Sequence, residues 1–228
     1  MGLSAPFPWC RIARLAHLAA SAASPASPAG QRPPYPGVVT TSPGSQTPPA
    51  TPAPSQALRQ QILDKAVVHG KVILSSGREA DYYVDLRRVT LDAEAAPLVG
   101  EVMLDLTAPW DFDAVGGLTL GADPVAGAML HAAAARGRRL DAFVVRKAGK
   151  AHGLQRRIEG PDVAGRRVLA VEDTSTTGGS VMTAVQALRE AGAEVVGVAV
   201  IVERGSQPRI DSEGLPFLAA YTLDDLGL

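Results

Sequence analysis

Residues 168–180, VLAVEDTSTTGGS, restrict the possible folds of this chain more than any other stretch. Four apolar residues, Val168 to Val171, predict a buried parallel strand that runs into two acidic residues, Glu172 and Asp173. A short loop of hydroxyl-bearing residues and glycines comes next, and an amphipathic helix follows it. A buried strand, a tight loop and a helix in this order are typical of an α/β fold with a parallel sheet.

The loop after this strand predicts an anion-binding site. Glycines let the backbone approach a ligand closely, the free N–H groups at the start of a helix point outward, and the helix dipole favours negative charge there. The carboxylates of Glu172 and Asp173 can bind sugar hydroxyls or approach a magnesium ion. The pattern therefore indicates a phosphorylated sugar as the ligand, with an ordinary strand–turn–helix connection as the alternative. The residues of the predicted loop are Thr174, Ser175, Thr176, Thr177, Gly178, Gly179 and Ser180.

The first part of the 228-residue chain differs in composition from the rest. No Asp or Glu precedes Asp64, and most of the 18 prolines lie before residue 55. Such a segment cannot bury enough apolar surface to offset its chain entropy. We therefore predict a disordered Pro/Ala/Ser-rich extension over 1–55 and a single domain over 56–228.

The N-terminal residues WCRIARLAHLAASAA are rich in alanine, lack acids and contain Arg11 and Arg14. These features are also typical of a transit peptide, although we favour an unstructured extension. The stretch is too short and too interrupted for a membrane span. Cys10 is the only cysteine, so the predicted domain has no disulfide, which fits a cytoplasmic protein.

Apolar periodicity divides the predicted domain into alternating helices and strands. Short strands at 72–74 and 82–86 flank a turn and predict a hairpin. The alternation of nearly continuous apolar strands with helices predicts an α/β fold, with a parallel sheet, helices on both faces and a small N-terminal hairpin. Helices are expected over 56–69 (capped by Ser55 and ended by Gly70), 93–107, 122–136 and 178–191, and the other strands over 114–117, 141–146, 168–173, 195–204 and 216–223.

Three polar segments come at the carboxyl ends of predicted strands. They are GGLTLGAD at the end of 114–117, RKAGKAHG after 141–146 and EDTSTTGGS after 168–171. Ligands of open parallel sheets bind beyond the carboxyl ends of the strands. We therefore expect the three segments to converge on one site.

Residues 146–160, RKAGKAHGLQRRIEG, concentrate basic side chains in a segment punctuated by glycines. A pyrophosphate needs several cations to neutralise it, and this segment leaves a strand end beside the predicted anion site. It therefore indicates a pyrophosphate ligand, with a solvated basic loop as the alternative. The basic residues are Arg146, Lys147, Lys150, His152, Arg156 and Arg157.

Two of these motifs resemble those of a known family over residues 57–223. The stretch VLAVEDTSTTGGS resembles the phosphoribosyl pyrophosphate (PRPP) motif of the type I phosphoribosyltransferases. In that family the acidic pair contacts the ribose hydroxyls and the following loop holds the 5′-phosphate. The order Arg-Lys-x-x-Lys-x-His-Gly is similar to the catalytic loop of the orotate phosphoribosyltransferase family. The resemblance implies a type I phosphoribosyltransferase fold.

The resemblance also implies a reaction and the residues that serve it. PRPP and orotate would give orotidine 5′-monophosphate and pyrophosphate, in de novo pyrimidine synthesis. The implied orotate-binding residues are Tyr83, Val84, Thr176 and Arg204. The implied PRPP-binding residues are Arg146, Lys147, Lys150, His152, Glu172, Asp173, Thr174, Ser175, Thr176, Thr177, Gly178, Gly179 and Ser180. Those implied to be catalytic are Asp173, Lys150, His152 and Glu172.

Cofactor and partners follow from the same resemblance. Magnesium would be held mainly by PRPP and water, with no direct protein ligand. The protein would be a homodimer with shared active sites, in which a mobile loop carrying Lys150 and His152 closes over the neighbouring subunit. Neither nucleic acid nor a membrane is expected as a partner.

Three positions depart from the family pattern. Glu172 stands where the family usually has Asp, and Ser75 and Gly121 stand where it often has a lysine near the pyrophosphate. Arg156 or Arg157 is the candidate replacement for these cations. Two alternatives stay open: a phosphoribosyltransferase for another base, and a PRPP-binding regulator of the same fold. A regulator should carry a DNA-binding domain or a basic face, and the sequence of the predicted domain indicates neither.

Overall fold

The computed structural model of the protein describes residues 53–73, 79–147 and 157–228. Most of the predicted extension, residues 1–52, lies outside the described residues, and so do 74–78 and 148–156. The division at residue 55 therefore stays a prediction. Within the described part of the chain, no helix is long and apolar enough to cross a membrane.

Strands and helices alternate along the described residues, as the sequence predicts. The strands are β1 (Val67–Ile73), β2 (Glu79–Val84), β3 (Ala114–Leu118), β4 (Asp141–Val145), β5 (Ile158–Glu159), β6 (Arg167–Ser175), β7 (Glu194–Glu203) and β8 (Phe217–Thr222). The α-helices are α1 (Pro54–Gln61), α2 (Arg87–Thr90), α3 (Ala95–Leu106), α4 (Ala122–Ala135), α5 (Gly179–Glu190), α6 (Gln207–Asp211) and α7 (Leu223–Leu226).

One mixed sheet with the strand order β5-β4-β3-β6-β7-β8 forms the centre of the described domain. Its strands are parallel except β5, which pairs antiparallel with β4. Successive side chains of β6 point to opposite faces, as in any strand. Leu169 and Val171 belong to a core shared with α3 and α4, and Val168 and Ala170 to a core shared with α5. The predicted α/β fold with helices on both faces is therefore confirmed.

Several predicted elements occur close to their expected bounds. The helices expected over 93–107 and 122–136 are α3 and α4, and α4 ends just before Gly137, whose φ of 71° only a glycine adopts easily. The hairpin forms from the antiparallel strands β1 and β2. These strands, helices and the last edge strand β8 have clear apolar periodicity, which is why the sequence predicts them well.

The helix predicted over 56–69 is wrong in its second half. After α1, residues Ile62–Ala66 form a π-helical turn, and β1 begins at Val67. The β-branched residues Val67 and Val68 pair with Val84 and Tyr83 of β2, so strand pairing overrides the helical periodicity. Gly70 lies inside β1 and does not end a helix.

The predicted cap of the first helix is also wrong. The N-cap position is Ala53, with no side-chain hydrogen bond, and Pro54 starts the helix because its fixed φ suits the first turn. Ser55 lies inside α1, where its carbonyl oxygen accepts a hydrogen bond of 2.6 Å from the Tyr221 hydroxyl. A tertiary contact to β8 therefore occupies the residue expected to cap the helix.

The loop after the acidic pair is shorter than predicted. β6 continues through Thr174 and Ser175, because both pair in register with β7, at Val202 and Glu203. The connection to α5 is therefore confined to residues 176–178. Its last residue, Gly178, has a φ of 72° and turns the chain into the helix.

Candidate active site

The acidic pair lies inside β6, at the carboxyl end of the sheet. Glu172 is 5% exposed, although its side chain is charged in water. Burial, with repulsion from the neighbouring Asp173, raises the pKa of Glu172 to about 8. Burial also raises the pKa of Asp173, while a hydrogen bond of 2.7 Å from the Thr174 N–H opposes that rise. A nearby positive charge would therefore stabilise the ionised form of both carboxyls. The free protein supplies little of that charge.

Gly121, the N-cap residue of α4, lies against this acidic pair. A Cβ atom built on Gly121 would lie 2.6 Å from Asp173 Oδ1 and closer still to Glu172 Oε1. A side chain at position 121 therefore requires both carboxylates to move. The structure thus gives a steric reason for glycine at this departure from the family pattern. Ser75, the other such position, lies outside the described residues.

Two carboxylate oxygens near Gly121 are buried and have no hydrogen-bond partner among the described residues. They are Oε2 of Glu172 and Oδ1 of Asp123. The other oxygen of Asp123 accepts a hydrogen bond of 2.6 Å from the Thr119 hydroxyl. Buried acceptors without donors are costly, so this corner is suited to a ligand that brings hydroxyl groups or a cation.

The predicted anion site lies at the start of α5. Thr176, Thr177, Gly179 and Ser180 are exposed, and the N-cap residue of this helix is Gly178, which has no side chain to cap it. The Thr177 hydroxyl accepts a long bond of 3.5 Å from the Gly179 N–H. The helix N-terminus therefore faces solvent with donors available for a phosphate. Ser175, by contrast, is buried within β6.

The basic segment is only partly described. Arg146 and Lys147 follow β4, and the Arg146 guanidinium lies 3.5 Å from the Glu159 carboxylate. Lys147 is exposed. The predicted catalytic residues Lys150 and His152 lie outside the described residues, and Arg156 does too.

Arg157, a candidate replacement cation, pairs with a carboxylate of α5. Its guanidinium lies 3.9 Å from the carboxylate of Glu190, the last residue of α5. The acidic pair lies at the opposite end, beside the first turn of the same helix. The Arg157 Nε is buried and has no partner among the described residues, so the role of Arg157 as a replacement cation stays a prediction.

Arg204 and Thr176, two predicted base-binding residues, come together where β6 and β7 end. The Arg204 N–H donates to the Ser175 carbonyl at 2.8 Å. The neighbouring Gly205 lies against the Thr176 carbonyl, with 3.5 Å between that oxygen and a Cβ built on the glycine. The Arg204 Nε is buried and has no partner among the described residues.

The two predicted hairpin residues differ in their environment. Tyr83 is half-buried on β2. Val84 is 3% exposed and packs in the apolar core that β6 shares with α3 and α4. Packing in that core is enough to explain an apolar side chain at position 84.

Arg87, at the start of α2, is a charged residue near the acidic pair that the sequence pattern did not indicate. Its Nε lies 2.8 Å from Asp85 Oδ1. Its charge also acts on Tyr83 and Asp173 and lowers the pKa of Asp173, against the larger effect of burial. The sequence DLRR places two arginines directly after a strand, which could have indicated a site residue. Two adjacent arginines at a strand end are, however, also typical of an ordinary solvated surface.

The family model of the phosphoribosyl transferase domain matches residues 91–217, which include both the acidic pair and Arg204. These residues make up more than half of the chain, and they carry the strand, loop and helix described above. The chain therefore belongs to the phosphoribosyltransferase family.

Individual relatives narrow this assignment. Orotate phosphoribosyltransferase of Streptomyces avermitilis is 77% identical over 175 residues, which cover 75% of this chain and 96% of the relative. The Corynebacterium glutamicum (strain R) enzyme of the same name is 60% identical over 173 residues, with 75% and 92% covered. A crystal structure of Mycobacterium tuberculosis orotate phosphoribosyltransferase in complex with PRPP shares 51% identity and a TM-score of 0.68, covering 77% of this chain and 100% of that one. Within the family, the chain belongs to the orotate phosphoribosyltransferases.

Proposed function

We propose that this protein transfers the phosphoribosyl group of PRPP to orotate, giving orotidine 5′-monophosphate and pyrophosphate for pyrimidine synthesis. The single observation that carries the proposal is the meeting of three features at one edge of the sheet. They are a buried acidic pair with an unpartnered oxygen, an uncapped helix N-terminus, and an arginine with a buried, unpartnered Nε. Ribose hydroxyls, a 5′-phosphate and a carboxylated base match these three features in turn.

The acidic pair serves the ribose. In the reaction the bond from C1 to the pyrophosphate oxygen breaks and pyrophosphate leaves with the electron pair. A ring nitrogen of orotate forms the new bond to C1 and loses its proton to the solvent. The ribose carries positive charge in between. Asp173 and Glu172 stabilise that charge and bind the ribose hydroxyls, while the amides that start α5 hold the 5′-phosphate.

Magnesium fits this site as a companion of PRPP. Among the described residues, no group of three or more His, Cys, Asp or Glu side chains is placed to hold a metal ion. Magnesium commonly keeps several waters and takes one or two carboxylates together with substrate phosphates. In this proposal PRPP and water hold the ion, and Glu172 and Asp173 bind the ribose hydroxyls. When bound, the ion neutralises charge on the leaving pyrophosphate.

Arg204 reads the base in this proposal. A guanidinium binds a carboxylate through two parallel hydrogen bonds, and the carboxylate distinguishes orotate from uracil. Tyr83, half-buried on the hairpin, offers an aromatic face to a flat pyrimidine. Thr176 lies beside the turn that carries Arg204 and can reach the edge of the base.

One assay tests the proposed reaction. Orotate absorbance should fall when the protein is mixed with PRPP and magnesium, and adenine, hypoxanthine and uracil should not react. Activity on one of the other bases but not on orotate would contradict the proposal. PRPP binding without turnover of any base would instead favour the regulator considered above.

We further propose a homodimer with shared active sites, in which Lys150 and His152 serve the neighbouring subunit. A Lys150→Ala protein and an Asp173→Asn protein should each be almost inactive. Mixing them under conditions that exchange subunits should restore up to about a quarter of wild-type activity, because about half of the dimers are then mixed and half of their sites are intact. Proven exchange without recovery would show that the loop serves its own subunit.

A further inference from the structure

Glu203, the last residue of β7, directs its carboxylate onto the turn that follows. Its Oε1 accepts hydrogen bonds from three successive backbone N–H groups, at 2.6 Å from Gly205, 2.5 Å from Ser206 and 3.2 Å from Gln207. The Ser206 hydroxyl lies 3.3 Å from the same oxygen. One carboxylate oxygen therefore fixes the whole turn between β7 and α6.

The opposite side of this turn is fixed by β6. The Arg204 N–H donates to the Ser175 carbonyl, and Gly205, at a φ of 113°, lies against the Thr176 carbonyl. Ser206 is completely buried. The backbone of Arg204 is therefore held between the Glu203 carboxylate on one side and the end of β6 on the other.

Arg204 is the residue that benefits from this arrangement. A free arginine side chain has many rotamers, and a ligand must overcome that entropy when it orders the guanidinium. A fixed backbone and a buried Nε reduce the number of positions open to this guanidinium before the ligand arrives. Ligands that need the guanidinium should therefore bind more tightly.

We propose that Glu203 is a positioning residue for Arg204, and that it sets the affinity for the carboxylated base without contacting that base. The inference rests on the proposed function, in which Arg204 pairs with the orotate carboxylate. PRPP depends on the acidic pair and on the start of α5, and the hydrogen bonds shown for the Glu203 carboxylate among the described residues go to the turn and not to either of these. The Michaelis constant for orotate should therefore respond to Glu203 far more than that for PRPP.

Removal of the carboxylate tests this inference. Glu203→Ala should raise the Michaelis constant for orotate by roughly tenfold, because three N–H groups lose a charged acceptor, and leave that for PRPP within about twofold. Glu203→Gln keeps an acceptor oxygen and should restore most of the orotate affinity. If the alanine variant does not fold, Glu203→Met, which keeps the bulk without the acceptor, carries the same measurement.

Glu194→Ala is the matched control, since it makes the same change at the exposed first residue of the same strand. It should leave both Michaelis constants unchanged. The double variant Glu203→Ala/Arg204→Ala should be no worse for orotate than Arg204→Ala alone, because Glu203 acts through that arginine. Additive losses, or an equal rise in both Michaelis constants for Glu203→Ala, would overturn the inference.

The Arg204→Ala protein separates this inference from the proposed function. If Arg204→Ala raises the Michaelis constant for orotate and Glu203→Ala does not, the positioning role of Glu203 is wrong and the role of Arg204 stands. If Arg204→Ala leaves that constant unchanged, the base-reading role fails, and the positioning role fails with it. The absorbance assay on the unmodified protein tests the reaction itself, independently of both residues.

Discussion

The two ends of the central sheet differ in how completely their charged side chains are paired. At the amino ends of the strands, arginines and aspartates pair with one another. Arg166 lies 2.7 Å from Asp141, and Arg167 lies 2.9 Å from Asp113 and also pairs with Asp111. A hydrogen bond from Arg167 lowers the pKa of Asp113. At this end each of these charges has its partner within the folded protein.

At the carboxyl ends the same sheet presents charges whose partners are incomplete. Glu172 and Asp123 each have a buried oxygen without a donor, and Arg204 has a buried donor without an acceptor, among the residues that the structure describes. Burial raises the pKa of Glu172 and of Asp173. These groups cost stability in the free protein, and a ligand with hydroxyls, phosphates and a carboxylate supplies what they lack.

The candidate site lies at only one of these two charged ends of the sheet. Both ends are charged, so charge density does not distinguish them. The two ends are distinguished by how completely these charges are paired. A paired charge stabilises the fold, and an unpaired buried charge prepares a binding site. Substitutions at the carboxyl end should therefore lower activity, and substitutions at the amino end should not.

Asp173→Asn should have the largest effect. Replacing this carboxylate by a neutral amide removes one charge contact to the ribose in a partly buried site, so turnover should fall by about 100-fold. Steady-state rates with saturating orotate and varied PRPP measure the loss. The melting temperature should not fall, because the substitution removes a carboxylate that burial makes unfavourable.

Asp113→Asn is the matched control at the amino end. It makes the same chemical change on the same sheet, to a carboxylate that Arg167 already pairs. Its rates with PRPP and orotate should equal those of the unmodified protein. Comparable losses of activity in the two variants would contradict the distinction between the two ends.

Gly121→Ala should have the next largest effect. The new methyl group would displace the carboxylates of Glu172 and Asp173, so kcat/KM for PRPP should fall by roughly tenfold. Gly127→Ala is the control, because it makes the same change within α4 at a position where a Cβ meets no atom within 4 Å. The control should keep full activity, and its helix should be slightly more stable. Full activity of Gly121→Ala would show that the acidic pair tolerates displacement.

At the carboxyl end, the sequence alone predicts which residue types lie at the strand ends, and the ligands of these residues stay a prediction. The acidic pair, the helix start and Arg204 follow a strong strand–loop–helix pattern, and their chemistry is visible in the residue types. The incomplete pairing of Glu172 is not visible, because it depends on how the start of α4, at Gly121, lies against β6. Local patterns carry no information on such neighbours.

The hairpin region shows the same limit in the fold. Helical periodicity over 56–69 is real, yet β1 takes residues from Val67 onward because β2 offers a pairing partner. Arg87 was missed for a related reason, since only the folded chain brings its charge close enough to Asp173 to shift that carboxyl's pKa. Contacts between distant segments decide both cases.

The two ends should also differ in how their carboxyl groups make stability depend on pH, because the pKa shifts are opposite in direction. This is the smallest of the effects predicted here. The pKa of Glu172 is raised from 4.5 to about 8, so between these values the folded protein binds more protons than the unfolded chain. The stabilisation from this group is complete below 4.5 and is lost as the pH rises toward 8. The pKa of Asp113 is lowered from 3.8, so its contribution is present above 3.8 and is lost only at lower pH.

Urea unfolding of three proteins from about pH 5 to about pH 8 measures this difference. The free energy of unfolding of the unmodified protein should carry a falling contribution from Glu172 over this range. Glu172→Gln cannot titrate, so its curve should fall less steeply, with the remaining slope from Asp173, whose pKa is also raised. Asp113→Asn should give a curve parallel to that of the unmodified protein, because Asp113 is ionised in both the folded and unfolded states throughout. A Glu172→Gln curve parallel to the unmodified one would mean that Glu172 is already ionised in the free protein, and that its buried oxygen has a partner in solution.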